Sequence, residues 1–270
     1  MRPVTLIGFD SAWMDNPKAP GAICAIELRG DELARFHPPQ LVSFAQALAF
    51  IEAVRAADGC TLLALDQPTI VPNHTSMRPV ERVAASLVSW LGGGVQPSNR
   101  GRTGMFCDAS PIWRFLTQLG AQEQPEESRS AETGLHLIEV FPALALASIE
   151  DAFFGRLAAP RYNPGRRKTF KLTDWQRVSR AIAAAFARLG FAEPERWCLD
   201  AALIEKPRKA DQDMLDSLIC LLIAARWRLG ARSESMILGS LDTGYMVLPA
   251  SPVVRQRLAA TALAAGVPAD

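Results

Sequence analysis

The chain has 270 residues, 49% of them hydrophobic, so it can bury a substantial core as a single globular domain over residues 1–270. Lys and Arg number 29 against 28 Asp and Glu, a formal net charge of +1 that removes any general attraction to nucleic acid or to a membrane surface and leaves such binding to local patches. The five cysteines are scattered, with no Cys-x-x-Cys pair and no Cys/His spacing suited to zinc. With no signal-peptide pattern and no apolar run near the ~20 residues that span a bilayer, a cytoplasmic protein with reduced thiols and no membrane partner is expected.

Val4 to Asp10 is a short apolar run that ends on a carboxylate, the pattern of a buried strand with an acid at its carboxyl end. In open α/β sheets, ligands bind in the crevice beyond those ends. Gly21–Leu28 and Leu33–Phe36 read as two further strands joined by a turn at Arg29-Gly30-Asp31, so three antiparallel strands open the fold. Phe44, Leu48, Ile51 and Val54 recur at helical spacing within residues 42–57, and Gly59 follows as a stop.

Thr61 to Asp66 repeats the opening pattern, cut off by Pro68. Residues 69–133 read as a helical and loop-like insertion, broken at 92–104 and 122–132. Leu135 to Glu139 is the third strand ending in an acid, with Pro142 behind it. A basic loop at 156–171 precedes a helix from Asp174 to Leu189. Asp211, Asp213 and Asp216 open an apolar helix that runs to about Leu229. An edge strand at Tyr245–Leu248 and an Ala-rich helix from Pro252 to Ala265 close the chain.

A lone Asp after a strand is ordinarily a turn-former or a cap, and N-capping is the ordinary role for Asp211 and Asp213. Asp216 is different, because it lies inside its helix beside the apolar stripe. Three strands that end in Asp10, Asp66 and Glu139, with a helix that opens on Asp213 and Asp216, would send several carboxylates to one crevice. Carboxylates so crowded need raised pKa values or a cation, and hard divalent ions such as Mg²⁺ or Mn²⁺ take oxygen ligands. A two-ion site would hydrolyse a phosphodiester by in-line displacement, with DNA or RNA as the partner. Arg78, Arg100, Arg102, Arg166, Arg167 and Lys168 are the cations placed to meet substrate phosphates. His37, His74 and His136 have no triad or zinc spacing, and Gly92-Gly93-Gly94 lacks the Lys-Ser/Thr of a phosphate loop.

Gly8-Phe9-Asp10-Ser11-Ala12, Leu65-Asp66-Gln67-Pro68, Arg78-Pro79-Val80-Glu81, Glu139-Val140-Phe141-Pro142, Asp213-Met214-Leu215-Asp216-Ser217-Leu218 and Gly244-Tyr245-Met246-Val247-Leu248-Pro249 together resemble the signature of the domain-of-unknown-function 429 family, described as predicted ribonuclease H-like nucleases. The resemblance implies an α/β ribonuclease H-like fold: a mixed sheet of three antiparallel strands and then parallel strands, flanked by helices. It also implies that Asp10 bridges two Mg²⁺ or Mn²⁺ ions whose ligand set Asp66, Glu139 and Asp213 or Asp216 complete. Junction-cleaving relatives act as dimers, so a homodimer is among its implications. Ser11, Ser217 and Asn163 depart from the family pattern. An ATP-dependent phosphotransferase or nucleotide hydrolase of the same superfamily, and a non-catalytic nucleic-acid- or protein-binding module, are the alternatives. The first needs Gly- and Thr-rich phosphate turns that Asp10-Ser11-Ala12-Trp13 and Asp66-Gln67-Pro68-Thr69 do not supply.

Overall fold

The computed structural model describes residues 2–270. Strands β1 (Val4–Asp10), β2 (Gly21–Arg29) and β3 (Glu32–Val42) lead into helix α1 (Phe44–Val54), which Ser43 caps by accepting a hydrogen bond from the Gln46 amide. Then come β4 (Cys60–Asp66), α2 (Pro79–Trp90), α3 (Pro111–Leu119), α4 (Pro125–Ser130) and β5 (Gly134–Glu139). Helices α5 (Pro142–Ile149), α6 (Leu172–Arg188), α7 (Ala192–Ala201) and α8 (Lys209–Leu229) precede the hairpin β6 (Ser235–Ser240) and β7 (Gly244–Pro249), and α9 (Pro252–Ala265) follows.

The main sheet runs β3-β2-β1-β4-β5. β1, β2 and β3 pair antiparallel, whereas β4 and β5 run parallel to β1. Alternation sorts the side chains. Leu6, Leu62, Ala64 and Ile138 pack with Leu218, Ile219 and Leu222 of α8, while Ile7, Phe9, Leu63, Leu65 and Leu137 pack with Ile51 of α1 and Phe115 of α3 on the opposite face. The result is an α/β sandwich with a mixed five-stranded sheet between helices. A third apolar cluster joins α2, α9 and the β6-β7 hairpin. Among the described residues, no helix is long and apolar enough to cross a membrane.

The central packing event is the seating of α8 on β1. A Cβ on Gly8 would lie 2.1 Å from the Ser217 carbonyl oxygen and 2.4 Å from the Leu221 amide nitrogen. Only glycine lets the helix backbone come this close to the strand.

Several elements exceed the sequence expectation. β3 continues to Val42 through Pro38 and Pro39, because it is an edge strand and its register with β2 shifts between Ile23 and Ala25, opposite those prolines. Helices α5 and α7 and strand β6 were not expected. α5 is apolar on all sides and shows no helical period, and α7 carries Pro194 in its first turn, where proline is tolerated. Within 69–133, Ile112, Phe115 and Leu119 of α3 complete the core on the α1 side of the sheet.

Candidate active site

Asp10 and Asp66 are the last residues of β1 and β4 and stand directly opposite each other in the parallel ladder. Each shares the parity of Gly8 and Ala64, so both side chains fall on the face that α8 covers. Asp216 immediately precedes Ser217, the residue whose carbonyl rests on Gly8, so the close approach of helix and strand carries its carboxylate to the same strand ends. All three line one cavity.

Asp216 is buried and held from two sides. The Tyr162 hydroxyl donates to its Oδ1 at 2.8 Å, and the Gln212 amide nitrogen donates to its Oδ2. Lys209 pairs with Asp213, and its half-exposed ammonium reaches toward the carboxylates from the solvent side. Trp13 is pinned to the end of β4 through its indole nitrogen, which donates to the Asp66 carbonyl at 3.2 Å.

Burial drives the electrostatics. Asp10 is held well above the usual carboxylate range by desolvation and then by the charges of Asp216 and Asp66, with Lys209 opposing. Asp66 is raised by desolvation, then Asp216 and Glu139, again against Lys209. Asp216 is pushed up to about 6 by desolvation, although Lys209, Tyr162 and Gln212 favour its ionised form. Such a set ionises fully only if a cation joins it. Among the described residues, no three His, Cys, Asp or Glu side chains are drawn together tightly enough to cage an ion as they stand. The donor chemistry does fit a hard divalent ion: the acidic oxygens converge, and the Gln212 side-chain oxygen is buried with no partner.

Glu139 and Arg78 form a second buried arrangement beside the aspartates. In the ladder, Glu139 pairs with Leu65 rather than with Asp66, so it stops one residue short and its side chain leaves on the face opposite Asp10 and Asp66. There Arg78, fully buried, grips it through both terminal nitrogens at 2.9 and 2.6 Å. The Thr69 amide donates to the same carboxylate at 2.9 Å. The Arg78 Nε donates to Glu81 at 2.9 Å, and Glu81 also accepts from the Ser98 amide at 3.0 Å. The Tyr245 hydroxyl accepts from the Glu139 amide at 3.1 Å. Gly244 leaves the room, because a Cβ there would lie 2.7 Å from Arg78 Nη1 and the backbone φ is +96°. Arg78 is thus the counter-ion of two buried glutamates, and Glu139 is engaged by it.

The other expected cations separate. Arg166 lines the cavity, while Arg167 and Lys168 are exposed on the same loop. Arg100 lies over the Trp113 ring at 4.2 Å and bonds the Val71 carbonyl and Asp108, and half-buried Arg102 neighbours Met105. Neither lines the cavity. Asp213 stays beside the cluster, tied to Lys209. Tyr162, Lys209 and Gln212 escaped the sequence reading as site residues. Lys209 and Gln212 had a usable signal, since they precede Asp216 by about two turns and one turn and so share its helix face. Tyr162 comes from a loop, where no periodicity could reveal it.

A family model described as "Protein of unknown function (DUF429)" matches residues 8–236, most of the chain. No curated protein and no solved structure matches.

Proposed function

The chain belongs to the DUF429 family, proteins of unknown function, and from the geometry of its site we propose that it is a metal-dependent nuclease of ribonuclease H-like fold that hydrolyses phosphodiester bonds in DNA or RNA. One observation carries the reading: two strand-end aspartates level in a parallel ladder, met by a third from a helix that only Gly8 allows so close. The strand order β3-β2-β1-β4-β5, antiparallel and then parallel, supports the ribonuclease H-like assignment because the resemblance implies the same arrangement.

Asp10, Asp66 and Asp216 would hold two Mg²⁺ or Mn²⁺ ions, with the free Gln212 oxygen as a neutral donor. When bound, such ions lower the pKa of a water nucleophile and neutralise charge on the leaving oxygen. Tyr162 and Gln212 fix the rotamer of Asp216, so its oxygens need not be reorganised when an ion arrives. Lys209, Arg161 and Arg166 border the cavity and supply positive charge for phosphate.

The test is cleavage of labelled single-stranded, duplex and branched DNA and RNA with Mn²⁺ or Mg²⁺. Wild-type protein is expected to cut at least one substrate, and Asp10→Asn to lose at least 100-fold in rate. Equal cleavage by both proteins, or none by the wild type on any substrate, refutes the reading.

A further inference from the structure

The cavity over the aspartates is larger and more apolar than a phosphate requires. Its volume of about 400 Å³ lies within the ~300–1,000 Å³ of pockets that engulf a small organic ligand. The acids form one end. Val88 of α2, Leu91 directly after that helix and Leu146 from α5 form a buried apolar wall, and half-buried Phe141 and Trp13 stand beside it. On the other side the loop that carries Arg161 and Arg166 closes the space, with the Asn163 amide between them in sequence. Among the described residues neither arginine has a carboxylate partner within ion-pair distance.

Each part matches one part of a nucleotide. A phosphate suits the acidic end once cations are present, and suits the two arginines, but it gains nothing from Val88, Leu91 and Leu146. A planar aromatic base gains from that wall and from stacking on Phe141 or Trp13, contacts worth about 1–3 kcal/mol per base in single-strand binders. A duplex keeps its bases stacked inside and cannot present one to such a cavity without extruding it.

We propose that the cavity receives one unpaired nucleotide, its base against the α2–α5 wall and its phosphate between the aspartates and Arg161 and Arg166, so that the substrate is a strand with a free end, gap or extruded residue. This rests on the nuclease reading for its chemistry but not for binding. A free nucleotide offers the same chemistry, and the experiment separates the two.

Full-length protein is titrated into fluorescently labelled single-stranded and fully paired oligonucleotides, with Ca²⁺ in place of Mg²⁺ to hold back cleavage, and anisotropy is read with and without AMP as competitor. Two plugged variants are compared. Ala143→Trp starts from an exposed residue that lines the cavity, and Gly94→Trp from a position where a Cβ meets nothing within 4 Å. Wild-type protein is expected to bind the single strand at least tenfold tighter than the duplex. Each plug should weaken single-strand binding at least tenfold and leave Mn²⁺ binding, read by calorimetry, unchanged. Equal affinity for duplex and single strand, or plugs without effect, overturns the proposal, and AMP that competes as strongly as the strand overturns the assignment to a strand. Plug-sensitive binding without any cleavage overturns the nuclease reading alone, and cleavage indifferent to both plugs overturns the cavity assignment alone.

Discussion

Asp216→Asn should make the metal-free protein more stable at neutral and alkaline pH. The native pKa of Asp216 is about 6 against an ordinary 3.8, so folding disfavours its ionised form, chiefly through desolvation. Because the folded value is the higher one, the native state loses nothing below the unfolded pKa. The loss begins near pH 3.8 and is complete above about pH 6. A rise of roughly two units at about 1.4 kcal/mol each gives about 3 kcal/mol. Asparagine carries no charge to desolvate. Its side-chain oxygen still accepts from the Tyr162 hydroxyl, and its amide can donate to the Gln212 oxygen that otherwise has no partner. At about 2–4 °C per kcal/mol for a chain of this size, the variant should melt about 6–12 °C above wild type at pH 8 in EDTA and coincide with it near pH 4. Excess Mn²⁺ at pH 8 should reverse the order, since a cation that binds only the native carboxylates stabilises the wild type. Melting curves at pH 4, 6 and 8 decide it. A variant no more stable than wild type at pH 8, or a difference independent of pH, would refute the desolvation argument.

Arg78→Met removes the counter-ion of Glu81 and Glu139 while keeping much of the apolar stem, and breaking a buried ion pair from one side costs about 3–5 kcal/mol. Urea unfolding should show that loss, and Arg78→Met with Glu139→Gln should recover part of it; a single-variant loss under about 1 kcal/mol speaks against a buried ion network. Gly8→Ala places a Cβ 2.1 Å from the Ser217 carbonyl oxygen, so α8 must move off β1. A destabilisation of at least about 1–3 kcal/mol is expected, with weaker Mn²⁺ binding by calorimetry because Asp216 moves with the helix, and wild-type values for both would contradict this account of how the site is assembled.

The fold was legible where periodicity was strong. β1, β4 and β5 are short apolar runs and α8 has a continuous buried stripe, so composition and spacing announce them. β3 was truncated because Pro38 and Pro39 argue against a strand unless it is known to be an edge with a bulge, and that is tertiary information. The same limit governs the site. Strand-then-acid occurs three times in the sequence, but whether an acid joins the others depends on register, and the ladder sets Glu139 against Leu65 while Asp10 meets Asp66. A shift of one residue turns a side chain to the other face, and no one-dimensional pattern encodes it. Arg78 is a related case, because the Glu81 three residues on was visible as a partner but the burial that makes the pair obligatory was not.

The family motifs divide into two constellations with different physics. Gly8-Phe9-Asp10, Leu65-Asp66-Gln67 and Asp213-Met214-Leu215-Asp216 build a concentration of like charge whose ionisation the protein resists. Arg78-Pro79-Val80-Glu81, Glu139 and Gly244-Tyr245 build an internal ion network in which each formal charge has a partner. The two meet across the sheet, where Glu139 is among the charges that raise Asp66. Without Arg78, Glu139 would place a largely uncompensated negative charge next to the acidic end of the cavity. By fixing that charge in a two-pronged pair, Arg78 limits the repulsion Asp66 feels, and through Glu81 and the Ser98 amide it anchors the chain segment that follows α2 and the cavity loop Gly92–Gly94. The residues that look most reactive in the sequence therefore include some whose role is to keep the reactive set from carrying one charge too many.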